Sequence, residues 1–291
     1  MHRLLDHPFL WAIIWLFVLL VAATLGRWLR ARRKTLGEGE REDLNLILSA
    51  TLTLLSLLVG FSFSMASARY DHRKSLEAQE ASVIGTEYER ASLLPQPQAL
   101  HVEQLLRAYL NDRIALYNAP NDASDAKILR ATLTLQNKLW ESVRIPAFAH
   151  QNSITALVVE GMNEVTDAEQ STQAAWEDRV PVPAWALMIV IAIFSCGLIG
   201  YYEQPSENPR RFYVLLPLLL AVASYIIADL DSPRGGLITV AAKNLERVTQ
   251  SISIHQVPRG RPHLPGYPGQ RKQPFGLRVN VEIYGAVGEV P

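Results

Sequence analysis

The amino-acid sequence predicts an all-α membrane protein with four transmembrane helices in two pairs around an extramembrane helical domain. Three observations lead to this prediction. The 291-residue chain contains four long apolar runs. A polar stretch of roughly 110 residues with helical patterns separates the second run from the third. Lys plus Arg (28) equals Asp plus Glu (28), so no net charge favours nucleic acid as a partner.

The first pair of membrane helices is predicted within residues 1–68. The run 9–28 carries one charge, Arg27, and is long enough to cross a hydrocarbon core of about 30 Å at about 1.5 Å per residue. It lacks a small-residue cleavage site before the arginines, so we predict a retained helix and not a removed signal peptide. The second run, 44–68, has 25 residues and no charge.

The extramembrane domain is predicted to span residues 69–179. The second helix is expected to run on out of the membrane until Pro95 and Pro97 end it. Helical patterns resume beyond these prolines, interrupted by a loop rich in Asn, Asp and Pro and by Pro146; they cover 98–117, 125–144 and 150–178. The apolar spacing predicts a helical bundle.

The second pair of membrane helices is predicted within residues 180–230. The run 180–202 begins with Val-Pro-Val-Pro, where prolines fit the start of a helix. The run 212–228 has 17 residues, close to the lower limit for a crossing.

The C-terminal part is predicted to contain one amphipathic helix and a tail. After a turn rich in Asp, Pro and Gly, residues 231–256 carry an apolar stripe consisting of Leu237, Ala241, Leu245, Val248 and Ile252. Such a helix lies on the bilayer surface or docks on the helical domain, and we favour docking. Residues 257–291 are rich in Pro, Gly and basic residues and are predicted to be disordered.

Four crossings place both termini and the 69–179 domain on one side of the membrane. Eight Lys and Arg residues lie near the helix ends on each side. The denser cluster follows the first helix, which favours a cytoplasmic 27–42 loop and an external domain.

The sequence contains no recognisable catalytic motif and predicts neither an enzyme nor a cofactor. Cys196 is the only cysteine, which excludes an internal disulfide and any cysteine-based metal cluster. Asp229 and Asp231 end the fourth apolar run. We interpret them as carboxylates that stop the helix and open the following turn. Cation binding is the alternative, although two carboxylates are few for calcium.

A stripe of small and polar residues marks the second membrane helix. Its members recur at spacings of three and four, which places them on one face of a helix; they are Ser49, Thr53, Ser56, Gly60, Ser64 and Ser67. Such a stripe indicates close helix packing or a face turned toward water in a pore, and the sequence leaves both open. Beyond it lie Arg69, Arg73 and Lys74, which act as a membrane-edge anchor in a monomer or as a basic pore mouth in a ring.

Three stretches of the chain resemble bacterial bestrophins. The run GFSFSMASARYDHRK at 60–74, continuing to Leu93-Leu94-Pro95, is similar to their second helix. Residues 179–183 resemble the proline-containing start of their third membrane helix, and 229–236 resembles their D-P-F-G turn. The order of segments matches over 9–254. The chain is more closely similar to the bestrophin-like family of membrane proteins, in which D-L-D-x-P-x-x-G after the last helix is typical.

The resemblance implies a pentamer in a bacterial inner membrane, with the second helices around one axial pore for anions or, in some members, cations. It also implies a cytoplasmic helical domain, against the charge pattern, and here we follow the resemblance. The family's apolar neck corresponds to Thr53, Leu57 and Phe61. The chain departs from bestrophins at Ser62, where they have arginine, in Asp71-His72-Arg73-Lys74, which replaces an aromatic-rich segment, and in a third helix without their His-Arg-Thr.

We therefore expect a homo-oligomeric ion channel whose partners are the lipid bilayer, further copies of itself and small ions. The expected pore mouth consists of Arg69, Arg73 and Lys74, and the expected pore-lining residues are Ser49, Thr53, Ser56, Leu57, Gly60, Phe61 and Ser64. The alternative is a non-conducting membrane protein whose helical domain binds a partner or senses a signal.

Overall fold

The computed structural model describes residues 8–32, 37–119, 122–149, 151–202 and 214–255. Within these ranges every regular secondary-structure element is a helix. In chain order the helices are α1 (Pro8–Ala31), α2 (Glu38–Ala91), α3 (Gln98–Tyr117), α4 (Asp122–Ala149), α5 (Ser153–Glu177), α6 (Val182–Tyr202), α7 (Leu215–Asp231) and α8 (Lys243–His255).

The backbone of the fold is α2, a single helix of 54 residues. At about 1.5 Å per residue it is roughly 80 Å long, much longer than a bilayer core. It contains no proline, and its first half is apolar whereas its second half is polar. The prediction that the second apolar run continues without a break into one long helix is confirmed.

Three parts of the described chain are long and apolar enough to cross a membrane: α1, α2 and the stretch Ser153–Tyr202. A break at 178–181 divides this last stretch into α5 and α6. The fourth apolar helix, α7, has 17 residues, which lies at the short end of the range for a crossing.

Glycines bring α1 and α6 into close contact. A Cβ atom on Gly200 would overlap the carbonyl oxygen of Ala23, and one on Gly26 would overlap the carbonyl oxygen of Gly197. Small residues allow membrane helices to approach at backbone distance. Near one end of this pair Trp11 stacks on Trp15, with ring centroids 5.9 Å apart.

The other half of α2 forms a helical bundle with α3, α4 and α5. Its core contains apolar side chains from each of these helices, among them Ile84, Leu106, Leu139 and Val158. The chain begins α5 with Asn152, whose side-chain oxygen accepts hydrogen bonds from the N–H groups of Ile154 and Thr155 at 3.0 and 2.9 Å, a typical N-cap. The predicted interruption at Pro146 is wrong, because α4 runs through this proline to Ala149.

The amphipathic helix is shorter than predicted. It begins at Lys243, since residues 232–242 are not helical. Within this segment the N–H groups of Leu237 and Ile238 donate to the Asp229 carboxylate, and the Leu237 side chain is exposed. From Lys243 onward it docks on the bundle, as we favoured, with Leu245 and Ile252 in the core. The predicted disordered tail, 257–291, lies outside the described residues.

Candidate functional site

The outward face of α2 carries all seven residues predicted to line a pore. None of them is buried in the protomer: Ser49, Thr53, Ser56, Leu57, Gly60, Phe61 and Ser64 are all exposed. Leu57 and Phe61 expose 52% and 61% of their surface. The opposite face of the same helix contacts the rest of the protomer through Leu48, Leu55, Ser62 and Ala66. The predicted residues therefore share a face that one copy of the chain leaves uncovered.

Gly60 is not required for packing within one protomer. A Cβ atom on this residue would meet nothing within 4 Å. Close helix packing inside the protomer, one of the two explanations for the small-residue stripe, therefore does not account for Gly60.

Two hydroxyl groups of the stripe donate hydrogen bonds within α2. Thr53 Oγ1 donates to the carbonyl oxygen of Ser49 and Ser56 Oγ donates to that of Thr53, both at 2.8 Å. Such bonds to the preceding turn are common for Ser and Thr in helices. As acceptors, these two hydroxyl oxygens keep the capacity to bind water or a donor on a neighbouring helix.

The three basic residues that follow the stripe lie in different environments. Arg69 is half-buried and forms an ion pair with Asp178 at the end of α5, with 3.2 Å between Nε and Oδ2. Lys74 is exposed. Arg73 is 1% exposed and is packed inside the protomer. The expectation that Arg73 contributes to a pore mouth is therefore wrong, because its charge does not reach the outward face of α2.

Arg73 instead connects α2 to the end of α7. Its guanidinium donates hydrogen bonds to the carbonyl oxygens of Leu230 and Asp231, which the end of a helix leaves without partners. Asp231 in turn accepts a hydrogen bond of 2.9 Å from the N–H of Val180, just before α6. These bonds tie three helices together at one level, where α2 passes into the bundle.

Asp229 holds the turn that follows α7. Its two carboxylate oxygens accept hydrogen bonds from the N–H groups of Leu237 and Ile238 at 2.8 and 2.9 Å. Gly236 has φ 107°, and a Cβ there would overlap the Asp229 carboxylate, so only glycine fits. Both predicted carboxylates at the end of α7 thus accept backbone N–H bonds, in agreement with our interpretation of them as structural groups. Within the described ranges no cluster of three or more His, Cys, Asp or Glu side chains is arranged to hold a metal ion.

A buried ionic cluster in the bundle was not predicted from the sequence. The Arg113 guanidinium on α3 donates to both carboxylate oxygens of Glu80 on α2 and, at 3.4 Å, to Glu169 on α5. Thr172 also donates to Glu80 at 3.1 Å. Burial raises the pKa of Glu80, although Arg113 opposes the rise. Burial alone would lower the pKa of Arg113, but Glu80 and then Tyr109 and Glu169 raise it. An arginine in a protein stays protonated, so the cluster contains a charged guanidinium.

Glu77, one turn before this cluster, caps another helix. It is buried and accepts hydrogen bonds from the backbone N–H groups of Asn244 and Leu245 at 2.8 and 3.1 Å. These N–H groups belong to the first turn of α8, where a carboxylate is favourable. Glu77 therefore fixes the position at which α8 begins.

Glu87 is buried without a hydrogen-bond partner for either carboxylate oxygen. It lies against Gly161 of α5, where a Cβ would overlap the carboxylate, and 4.0 Å from the Arg90 guanidinium. Burial raises the pKa of Glu87 to about 8, Arg90 opposes the rise and Glu164 adds to it. Glu77, Glu80 and Glu87 share one face of a long predicted helix. This spacing is the sequence signal by which the charged core, which we did not predict, is recognisable.

The sequence matches the model of a known protein family, and the fold is similar to solved structures of bacterial membrane proteins. The sequence model of the Bestrophin-like domain matches residues 11–245. The fold is similar to a bacterial bestrophin homologue from Klebsiella pneumoniae carrying a point mutation, with TM-score 0.60 and 12% identity, over 83% of this chain and 96% of that one. A structure of a Klebsiella pneumoniae homologue phased with zinc gives TM-score 0.54 and 13% identity, over 83% and 97%. No curated protein matches the sequence.

Proposed function

The chain belongs to the Bestrophin-like family, and from this premise we propose that it forms a homo-oligomeric, pentameric channel with α2 around an axial pore for small ions. The observation that supports the proposal most directly is the uncovered face of α2. Hydroxyl oxygens and a glycine gain little from contact with lipid, whereas in a ring they line a water-filled path.

The proposed topology has four crossings, formed by α1, the apolar half of α2, α6 and α7. In these segments many large apolar side chains are exposed, such as Phe9, Phe17, Val190 and Leu219. Exposed apolar surface on this scale requires lipid or other copies of the chain. Following the family resemblance, we propose a bacterial inner membrane with the bundle in the cytoplasm.

The proposed constriction consists of Leu57 and Phe61. These are the bulkiest side chains on a face otherwise formed by Ser, Thr and Gly, and each is one helical turn from the other. In a five-fold ring they would form two successive apolar rings, which hinder the passage of hydrated ions.

The proposed pore mouth carries less positive charge than the sequence suggests. Arg69 is paired with Asp178, and Arg73 is buried. Lys74 is then the basic residue available beside the exposed side chains of Asp71 and His72. We retain anions as the proposed ions on the family resemblance, and Lys74 is the residue on this surface that supports it.

The test is ion flux from liposomes that contain the purified protein. The double variant Leu57→Ala with Phe61→Ala removes the proposed constriction and should raise chloride efflux several-fold over the wild type. A matched control is Val190→Ala with Phe194→Ala, which truncates two exposed apolar residues on α6 and should leave efflux unchanged. Equal efflux from all three assembled proteins would contradict the constriction.

One observation favours the alternative, a non-conducting protein whose bundle binds a partner. Between α4 and α5 lies a groove of about 320 Å³ lined by Trp140, Val143, Phe148 and Val159, and Trp140 and Phe148 are both exposed. If no variant conducts and Trp140→Ala with Phe148→Ala abolishes capture of a cytoplasmic protein, this alternative replaces the channel.

A further inference from the structure

The proposed pore-lining face of α2 is bordered by two flanks with different shapes. On one flank lies a ridge formed by Ile47, Leu54, Leu58 and Met65, whose spacings of seven, four and seven place them on one line of the helix. Ile47, Leu54 and Met65 are exposed and Leu58 is half-buried. We refer to these four residues as the ridge.

On the other flank lies a groove of about 470 Å³ between α2 and α7. Ser56 and Gly60 form its edge beside the pore-lining face, and Leu219 and Ala223 belong to its α7 side. At this edge Gly60 contributes no side chain, and nothing lies within 4 Å of its Cβ position. The same helix thus presents a bulky apolar edge on one side and an apolar recess on the other.

Outside the membrane the two flanks carry opposite charge. On the side of α2 adjacent to the ridge, α5 contacts the helix through Arg69, Glu80 and Glu87. From Ser153 to Asp178 the chain contains no Lys, Arg or His, and its exposed acidic residues are Glu160, Glu164, Asp167, Glu177 and Asp178. Glu164 is paired with Arg90 and Asp178 with Arg69, so the acidic edge of this flank consists of Glu160, Asp167 and Glu177.

The line of α2 that continues the groove contacts α8. Glu77 binds the start of α8, and Val248 lies 3.5 Å from the Cβ position of Gly85. The exposed basic residues on this side are Lys74, Lys243 and Arg247, and Glu246 opposes them. This flank therefore presents an edge with a net positive charge.

We infer that these flanks are the two halves of one interface between copies of this chain. The ridge and acidic edge of one copy dock in the groove and against the basic edge of the next. Because the two surfaces differ, the contact is head-to-tail, and such contacts generate closed rings when the rotation closes. In membranes, helix association depends on close packing at small residues, and opposite charges select the register.

The inference rests on the proposed axial pore and refines it. With both flanks occupied, the part of α2 that stays free is the line between them, which carries Thr53, Leu57 and Ser64. Ser56 and Gly60 then belong to the seam between copies. The small-residue stripe serves both purposes that the sequence left open, since one edge packs and the other faces the pore.

The experiment places cysteines on the two flanks of a protein in which Cys196 is replaced by alanine. Leu54→Cys with Leu219→Cys joins ridge to groove, and oxidation in the membrane should give a ladder of covalent species up to the full ring. Leu54→Cys with Val222→Cys is the matched control, because Val222 is equally exposed on α7 but lies outside the groove. Either single cysteine should yield at most dimers.

A second variant, Gly60→Leu, fills the groove. It should lower the subunit number found by native mass spectrometry, while the helix content by circular dichroism stays that of the wild type, because the protomer has room for the side chain. A wild-type ring that gives no ladder, or that Gly60→Leu leaves intact, overturns the pairing of the flanks and leaves the axial pore standing. A wild-type monomer or dimer overturns both.

Discussion

The bundle and the membrane-spanning half of this chain are stabilised by different means. In the bundle, charged groups are buried and paired within one copy, as in the Arg113–Glu80 ion pair. In the apolar half of α2, large side chains such as Phe61 stay uncovered, and little of its most apolar stretch is buried. The bundle is a complete core in a single copy. The membrane half is complete only when lipid or further copies cover it.

The first way to test this comparison is to disrupt a contact between α1 and α6 in the membrane half that a single copy completes by itself. Gly200→Leu would drive a side chain into the carbonyl of Ala23 and separate α1 from α6. We expect a loss of about 4 kcal/mol or more in the free energy of unfolding, seen as loss of folded protein in detergent. Gly197→Ala is the control, since its Cβ would lie 3.8 Å from the nearest atom, and it should express normally.

Within the bundle, the largest effect is expected from removal of the buried guanidinium. Arg113→Leu leaves the buried carboxylates of Glu80 and Glu169 without their cation, which should lower the free energy of unfolding by about 3–5 kcal/mol. Arg144→Leu removes an exposed partner of Glu141 and should leave the free energy of unfolding almost unchanged, because solvent screens this pair. Equal effects in chemical denaturation would show that the bundle does not depend on its buried charges.

The buried carboxyl of Glu87 makes the stability of the bundle depend on pH, which gives a further test of the comparison. Burial raises its pKa in the folded protein to about 8 from an ordinary value of 4.5, so the folded state binds the proton more tightly than the unfolded state. The stabilising contribution of this proton is complete below pH 4.5 and is lost as pH rises to about 8. The Glu87→Gln variant should therefore melt at a higher temperature than the wild type above pH 8. Its melting temperature should also fall less than that of the wild type between pH 5 and pH 8.

The matched control for Glu87 is Glu89→Gln, which removes an exposed carboxylate two residues away on α2. It should leave the pH profile of the melting temperature like that of the wild type. A profile for Glu87→Gln that also parallels the wild type would contradict a buried, unpartnered carboxyl.

Apolar periodicity and the length of the runs predicted most of the helices, because these signals come from neighbouring residues in the chain. The helix boundaries of α3 and α6 and the placement of the stripe on a single face of α2 follow from spacing alone. The buried position of Arg73 and the late start of α8 did not follow, since each depends on partners about 160 residues away in sequence. The charged core was also missed, because a glutamate on a polar helix is usually solvated.

The sequence also could not decide between packing and pore for the stripe on α2. That distinction depends on what covers Gly60, and in one copy nothing does. The contact that would decide it lies between copies, where sequence periodicity gives no direction.

The central claim, that the uncovered face of α2 lines an axial pore, is tested most directly by the number of subunits in the native protein. Native mass spectrometry of protein purified in a mild detergent should give a single species of five copies. A monomer or dimer that persists across several mild detergents and in lipid nanodiscs would contradict the account, because no axis would then exist for α2 to surround.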